Sequence, residues 1–400
     1  MHHCHNPKRY LDNLRRVNEQ AGVERQTVDI IVAFARIKAE RQQIIDFYPD
    51  FTPKNDPVIL EFLEKNRHLD RRTGRFLAAY YHEMQKRGLC CIFNSSHLAH
   101  LLDITPSQLN RLALDIDTHY RQFHIPKNNG RMRRIDSPKP QLKKIQRKIL
   151  DMIIHPVRLN AHAEGYVRRK SIVTNARRHV GKEIVLKMDL SNFFPSITFP
   201  RVVGTFEALG YPHNVAEMLG KLTCHEGRLP IGAPTSPTIS NIVCRRMDKR
   251  FAGLGQKCGF SYSRYADDIA ISSDNTHLNG MISFFQKIIR EEGFAVNQTK
   301  TIVMRNAGRQ KITGVVVNEK TNAPREEIRK LRAVLHNCLH NGPHGEMRKW
   351  AYLEKNCPEK KYSQSSFRAS LLGRIHYVRL VNPGKGGQLL KQFNQIEFTT

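Results

Sequence analysis

Apolar positions recur every three or four residues from position 8 to about 88: Leu11, Leu14 and Val17, then Val28, Ile31, Phe34 and Ile37. That spacing predicts helices. Asp50-Phe51-Thr52-Pro53-Lys54-Asn55-Asp56-Pro57 interrupts the run with turn chemistry. Ser95-Ser96 and Thr105-Pro106-Ser107 read as N-caps of two further short helices. From Tyr120 the period falls to two. Arg121-Gln122-Phe123-His124-Ile125 and Met132-Arg133-Arg134-Ile135 flank Asn128-Asn129-Gly130, a hairpin signal. A helix is predicted after Pro140, with Leu142, Ile145, Ile149 and Ile153 on one side and Lys143, Lys144, Arg147 and Lys148 on the other. Strands and helices then alternate to about Asn318. Ile328, Leu331, Leu335 and Cys338, then Phe367, Leu371, Ile375 and Val378, return the chain to helices. The order is helical, then α+β, then helical.

Charge narrows the partner. Lys and Arg number 65 against 36 Asp and Glu, a net charge of +29 on 400 residues that are 40% hydrophobic. So large an excess on a foldable chain points to a polyanion, nucleic acid before membrane. No run of about 18 apolar residues is present, so no membrane span is expected. Met1-His2-His3-Cys4-His5 lacks an apolar signal core, and eight cysteines without a CxxC pair read as reduced thiols. Both features predict a cytoplasmic protein. His2, His3, Cys4 and His5 have metal-ligand chemistry but are read as a plain terminus.

Three carboxylates carry the chemistry. Ile184, Leu186 and Met188 face one way along a predicted strand, and Asp189 ends the other face with Val185 and Lys187. A salt bridge or helix cap would account for Asp189 alone. Tyr265-Ala266-Asp267-Asp268, however, puts two adjacent acids in a hairpin turn between the strand-like runs Phe260-Ser261-Tyr262-Ser263-Arg264 and Ile269-Ala270-Ile271-Ser272. Three acids brought together repel unless a divalent cation lies between them. Two magnesium ions held by such acids are the recurring device of in-line phosphoryl transfer.

These residues carry a resemblance. Tyr265-Ala266-Asp267-Asp268 resembles the YxDD box of reverse transcriptases, and Asp189-Leu190-Ser191-Asn192-Phe193-Phe194-Pro195-Ser196-Ile197 resembles their first catalytic block. The resemblance runs from about Phe123 to Asn318. It implies an α+β, right-hand polymerase fold with fingers, an antiparallel palm sheet with helices, and a helical thumb. The boundaries it implies are a helical N-terminal extension over 1–115, fingers over 116–182, palm over 183–318 with fingers elements interleaved, and thumb over 319–400. Asp189 and Asp267 would bridge two Mg2+ ions, with Asp268 supporting and the Leu190 carbonyl as a further oxygen ligand. Phe194 would lie under the incoming sugar as a filter against ribonucleotides, or be a core ring beside Phe193. Leu229-Pro230-Ile231-Gly232-Ala233-Pro234-Thr235-Ser236-Pro237 resembles the block behind the templating base, with Ile231 where the family usually has Gln. Arg133, with Arg131 and Lys127 as further candidates, matches the triphosphate-gripping fingers hairpin. Lys300, in Gly293-Phe294-Ala295-Val296-Asn297-Gln298-Thr299-Lys300-Thr301, matches the lysine near the leaving pyrophosphate.

Two further strings resemble retron enzymes. Asn175-Ala176-Arg177-Arg178-His179 fits an NAxxH string, and Ile312-Thr313-Gly314 a VTG string with Ile for Val. That resemblance implies recognition of a cognate noncoding RNA, msr-msd, priming from a guanosine 2′-hydroxyl, and copying with dNTPs into branched msDNA, an RNA–DNA hybrid. It also implies an effector or toxin partner in antiphage defence. Asn175, His179, Thr313 and Gly314, and on the thumb Arg329, Lys330, Arg332, Arg368, Arg374 and Arg379, are the RNA-binding candidates, although His179 also reads as a structural histidine. The alternatives are another defence-associated or abortive-infection reverse transcriptase, a group II intron maturase, for which about 80 residues after the palm leave too little room, and a non-catalytic RNA-binding scaffold.

Overall fold

The computed structural model describes residues 71–127, 130, 132–353 and 363–398. The helices and turn expected within 1–70, the His2-His3-Cys4-His5 cluster, the Asn128-Asn129 turn and Arg131 lie outside the described residues.

In chain order the principal elements are α1 (Arg71–Lys86), α2 (Ser95–Leu101), α3 (Pro106–Leu114), β1 (Tyr120–Pro126), β2 (Met132–Pro138), α4 (Pro140–Ile149), α5 (Ile172–Arg177), β3 (Ile184–Leu190), α6 (Phe199–Leu209), α7 (His213–Thr223), α8 (Ser236–Val243), α9 (Arg245–Cys258), β4 (Ser261–Tyr265), β5 (Asp268–Ser273), α10 (Ile282–Glu291), β6 (Val296–Arg305), β7 (Lys311–Ile312), β8 (Val315–Val316), α11 (Arg325–Asn341), α12 (Pro343–Leu353), α13 (Gln364–Val381) and α14 (Pro383–Phe393). They fall into two units. One runs to Leu159 and resumes over Asn192–Cys244; the other holds Asn160–Ser191 and everything from Arg245.

In the first unit the antiparallel β1–β2 hairpin pairs Phe123 with Ile135. Leu142, Ile145, Ile149 and Ile153 are buried as the periodicity predicts. Gln146, on the same helix, donates to the Tyr120 hydroxyl at 2.7 Å and the Leu222 carbonyl at 2.9 Å. The helices α1–α3 pack within this unit. Leu77, Tyr80 and Met84 are buried, and α7 packs against α2, α3 and α4. Arg87 reaches the Leu209 carbonyl at 3.4 Å, and Lys148 the Leu102 carbonyl at 3.1 Å. A block rich in apolar residues has to bury them, and here it does so against its own unit. The capping box at Thr105 forms with Gln108, whereas α2 is capped by Asn94, one residue before the predicted serines.

The second unit is built on a four-stranded sheet in the order β4-β5-β3-β6, antiparallel throughout. Leu186 pairs with Ile271, and Tyr262 with the same residue from the other side. These side chains share one face with Met188 and Ile269, and α9 covers it, Phe251 stacking on Tyr262 at 4.8 Å. On the opposite face Val185 and Ala270 pack with Val173 and Ala176 of α5, Val315 and Val317 around the β7–β8 hairpin, and Val381 of α13. Residues 160–182 thus join the sheet unit because α5 caps the sheet. Trp350, Phe367, Leu371, Ile375, Leu389 and Phe393 are buried in the core of α11–α14. No helix of the described residues is long and apolar enough to cross a membrane.

Candidate active site

Asp189, next to last in β3, lies opposite Asp268, the first residue of β5. Directly paired residues of an antiparallel ladder project to the same face, so the register alone brings these carboxylates together. Ala266 and Asp267 form the two-residue turn between β4 and β5. Ala266 has φ +57°, the positive value two-residue hairpins need. The Leu190 amide donates to the Asp267 carbonyl at 3.0 Å, tying the turn to the end of β3.

Electrostatics at this end of the sheet is unfavourable to three bare anions. Asp189 is 8% exposed, and the other two are half-buried. Burial holds the Asp267 carboxyl above its ordinary pKa, and the charges of Asp268 and Asp189 push the same way. Burial also raises Asp268, opposed by Lys187 and reinforced by Asp189. Oxygen donors whose charged forms are disfavoured in this way fit a hard divalent cation, which would reverse both effects.

A cation of the protein's own already faces Asp189. The Lys300 ammonium donates to both its oxygens at 3.0 Å, and Asn297 Nδ2 lies 3.4 Å away. As they stand, no three His, Cys, Asp or Glu side chains of the described residues converge to hold one ion. Lys300 arrives through an irregularity in β6. Lys187 pairs with Ile302 but Asp189 with Asn297, so β6 carries extra residues between those two partners. Bulges re-aim side chains next to active sites, and this one carries Lys300.

The NAxxH and VTG strings meet inside the same unit. Ser263 donates to Asn175 Oδ1 at 2.6 Å, so its oxygen accepts from His179 Nε2 at 2.7 Å. His179 Nδ1 then accepts from Ser272 at 2.7 Å. Asn175 Nδ2 continues the chain to Thr313 Oγ1 at 3.3 Å, and Thr313 to the Ile172 carbonyl at 3.4 Å. Thr313 and Gly314, with φ +45° and +90°, are the turn of the β7–β8 hairpin, and Tyr377 of α13 donates to the Gly314 carbonyl at 2.8 Å. The expectation that Asn175 and His179 touch RNA is corrected: both side chains are buried and have no surface to offer it. Thr313 and Gly314 are partly exposed.

The first unit holds the other candidates. Phe193 is buried and Phe194 half-buried, so the core ring is Phe193. Arg133 and Lys127 are exposed, whereas Arg134 is engaged by Asp136 and Glu226 at 2.7 Å each. The Ile231 carbonyl accepts from the Asp136 amide at 2.7 Å, and Gly232 lies against Ile135 and Asp136 of β2. On the helical part of the second unit, Arg329, Arg332, Arg368 and Arg379 are exposed. Lys330 and Arg374 instead lie over the Trp350 ring at 5.0 and 4.7 Å. Sequence reasoning passed over Arg264, Asp248 and Asn297. An arginine as the one charged residue of β4 was the available signal for the first.

Comparison with known proteins bears on the family. The family model described as "Reverse transcriptase (RNA-dependent DNA polymerase)" matches residues 125–337. The retron Mx65 reverse transcriptase of Myxococcus xanthus is 36% identical over 293 residues, 68% of this chain and 64% of that enzyme, so the match spans just under two thirds of it. The retron Mx162 reverse transcriptase of the same organism is 32% identical, covering 82% of this chain and 73% of that one. For the retron Ec86 reverse transcriptase of Escherichia coli the figures are 32%, 64% and 81%. Among solved structures, a Candida albicans telomerase aligns with 81% of this chain and 72% of its own at 12% identity and a TM-score of 0.39. With a family model matched over more than half its length and relatives of this identity, the chain belongs to the reverse transcriptases, the RNA-dependent DNA polymerases, and these relatives are retron enzymes.

Proposed function

We propose that the protein copies a cognate structured RNA into branched msDNA, priming from a guanosine 2′-hydroxyl, as one part of an antiphage system that includes an effector protein. The observation that carries the catalytic reading is the register pairing of Asp189 with Asp268, with Asp267 in the adjoining turn. Asp189, Asp267, Asp268 and the Leu190 carbonyl would hold two Mg2+ ions. When bound, such ions activate the attacking hydroxyl and neutralise the leaving pyrophosphate.

The chain's own residues supply the rest. Lys300 delivers a proton to the departing pyrophosphate. Arg133, with Lys127 and Arg131, binds the triphosphate, for which the guanidinium fork suits phosphate oxygens and stays charged. Phe194 excludes a 2′-hydroxyl; its half-buried ring supports that role over a purely packed one. Arg329, Arg332, Arg368 and Arg379 hold RNA through its phosphates, since A-form RNA is read mainly by shape and backbone.

The deciding experiment is Mg2+-dependent, RNA-templated dNTP incorporation by the purified protein and by Asp267→Asn. Incorporation that disappears in the variant while RNA binding persists supports the reading, and an active variant overturns the metal assignment. Sequencing the DNA that co-purifies with the protein tests the retron part. One short species branched from a single RNA supports it, and heterogeneous untemplated DNA favours another defence-associated reverse transcriptase. Phe194→Ala is expected to raise ribonucleotide use by on the order of tenfold.

A further inference from the structure

We infer that Arg264, held by Asp248, is a positioning residue that clamps the catalytic turn through the Ala266 carbonyl; the inference rests on the reading of Asp267 as a metal-binding acid. Both partners are wholly buried, at 0% side-chain exposure. Arg264 meets Asp248 as a fork, Nε to Oδ1 and Nη2 to Oδ2, each at 2.8 Å. Its third nitrogen, Nη1, donates to the Ala266 carbonyl at 3.0 Å. Tyr262 donates to Asp248 Oδ1 at 2.7 Å, so the buried carboxylate accepts three bonds. A buried ion pair often does no better for stability than well-packed apolar residues. This one does something an apolar pair cannot: it leaves a directed donor on a turn carbonyl.

The turn needs such a hold. Ala266 carries a Cβ at φ +57°, a conformation that persists only where its surroundings impose it. Arg264 pairs with Ile269 in the ladder and therefore sits on the helix-covered face, away from Asp189 and Asp268. A second restraint comes from the edge of the sheet. The His162 carbonyl accepts from the Arg264 amide at 2.9 Å, and the Glu164 amide donates back to the Arg264 carbonyl at 2.7 Å. The next residue, Gly165, lies so close that a Cβ there would be 2.6 Å from the Ala266 nitrogen and 3.1 Å from the Tyr265 carbonyl carbon. Glu164 is fixed in turn by Arg178 at 2.7 Å and Thr174 at 2.8 Å. The turn is thus held on one side by backbone and on the other by the Arg264 fork. Lysine, with a point charge and no fork, cannot serve Asp248 and the carbonyl in the same way.

The test compares Arg264→Lys, Arg264→Lys with Ala266→Gly, Gly165→Ala and Asp267→Asn in primer extension across a Mg2+ titration. Mn2+ binding, read from the loss of the free-ion electron paramagnetic resonance signal, and melting temperature are followed in parallel. Misplacing reacting groups by an ångström costs on the order of a hundredfold. Arg264→Lys is therefore expected to lose about ten- to a hundredfold in kcat, to need more Mg2+ and to bind Mn2+ more weakly, with template–primer affinity unchanged. Ala266→Gly, which adopts positive φ freely, should recover a substantial part of each loss. Wild-type kinetics and Mn2+ binding in Arg264→Lys, or losses that Ala266→Gly does not relieve, overturn the inference. If Arg264→Lys does not fold, Gly165→Ala decides. The same kinetic and metal signature supports the clamp, and unchanged kinetics overturn it. Asp267→Asn separates the two readings: an active variant removes the metal assignment, while an inactive one beside a fully active Arg264→Lys removes only the clamp.

Discussion

The Lys300 ammonium bridges the two carboxylate oxygens of Asp189, 3.0 Å from each. Lys300 is 59% exposed, so the pair adds little to stability; its consequence is for catalysis. The same oxygens are the proposed metal ligands, so the ammonium would compete with Mg2+ for them. Lys300→Ala is expected to lower turnover by about 10²–10⁴-fold, the range for a missing general acid, and to reduce the Mg2+ concentration needed for half-maximal rate. Single-turnover incorporation across a Mg2+ titration measures both. A higher Mg2+ requirement in the variant would count against competition.

Asp267 and Asp268 both have pKa values raised above the ordinary carboxylate range, chiefly by burial. The folded state therefore holds protons more tightly than the unfolded chain does. The resulting stability is present below the ordinary carboxylate range and is lost as pH rises through the folded values. A divalent cation, which favours the charged forms, should offset that loss. Calorimetry in EDTA at pH 7.5 is expected to show Asp267→Asn melting above the natural protein, with the gap narrowing as pH falls into the ordinary carboxylate range. Added Mg2+ should raise the natural protein's melting temperature and leave the variant's nearly unchanged.

How much of this was legible depended on whether a period or a register did the work. Period two on both sides of Tyr265-Ala266-Asp267-Asp268 made the hairpin readable, and the helical stripes from Leu142 and from Phe367 fell in the core as spaced. Lys300 was readable only by resemblance, since its aim comes from a slip in β6 against β3 that no local pattern encodes. The surroundings of Asn175 and His179 are not legible in sequence for a related reason. A polar residue on or just past a short helix looks the same in sequence whether it faces RNA or two buried serines, and only the packing of α5 on the sheet decides. Likewise Leu77, Tyr80 and Met84 declared a helix but not the neighbour that would bury it.

His179 makes the second unit acid-sensitive. Burial, assisted by the charges of Arg178 and Lys182, depresses its pKa to about 3. The unfolded chain takes up a proton near the ordinary histidine value of about 6.5, and the folded protein does not. The stability this neutral ring contributes is therefore whole above about pH 6.5 and is lost as pH falls toward about 3, by up to about 1.4 kcal/mol per pH unit. His179→Ala should remove that slope. It would also leave the Ser263 and Ser272 hydroxyls without their ring partner, at a cost of roughly 3 kcal/mol at neutral pH. Denaturant titrations at pH 5, 6 and 7.5 measure both effects, and parallel pH dependence in the two proteins would exclude His179 as the source.

The basic residues of the helical region divide into two groups with opposite expected signatures. Arg374 lies 4.7 Å from the Trp350 centroid and 3.3 Å from Glu327, while Lys330 lies 5.0 Å from the same ring. These cations already have partners within the protein. Arg329, Arg332 and Arg379 point to solvent. Arg374→Ala is therefore expected to cost about 1–2 kcal/mol of stability, the worth of a partly desolvated cation over an indole, with little change in the salt dependence of RNA binding. Arg329→Ala, Arg332→Ala and Arg379→Ala should leave the melting temperature alone. Each should flatten the slope of log K against log salt by about 0.7–0.9, one phosphate contact's share of counterion release. Filter binding of a structured RNA between 50 and 300 mM salt, beside thermal melts, separates the groups. An unchanged slope in all three exposed-arginine variants would move the RNA surface off these helices, to another basic face such as that of Lys144 and Arg147 on α4.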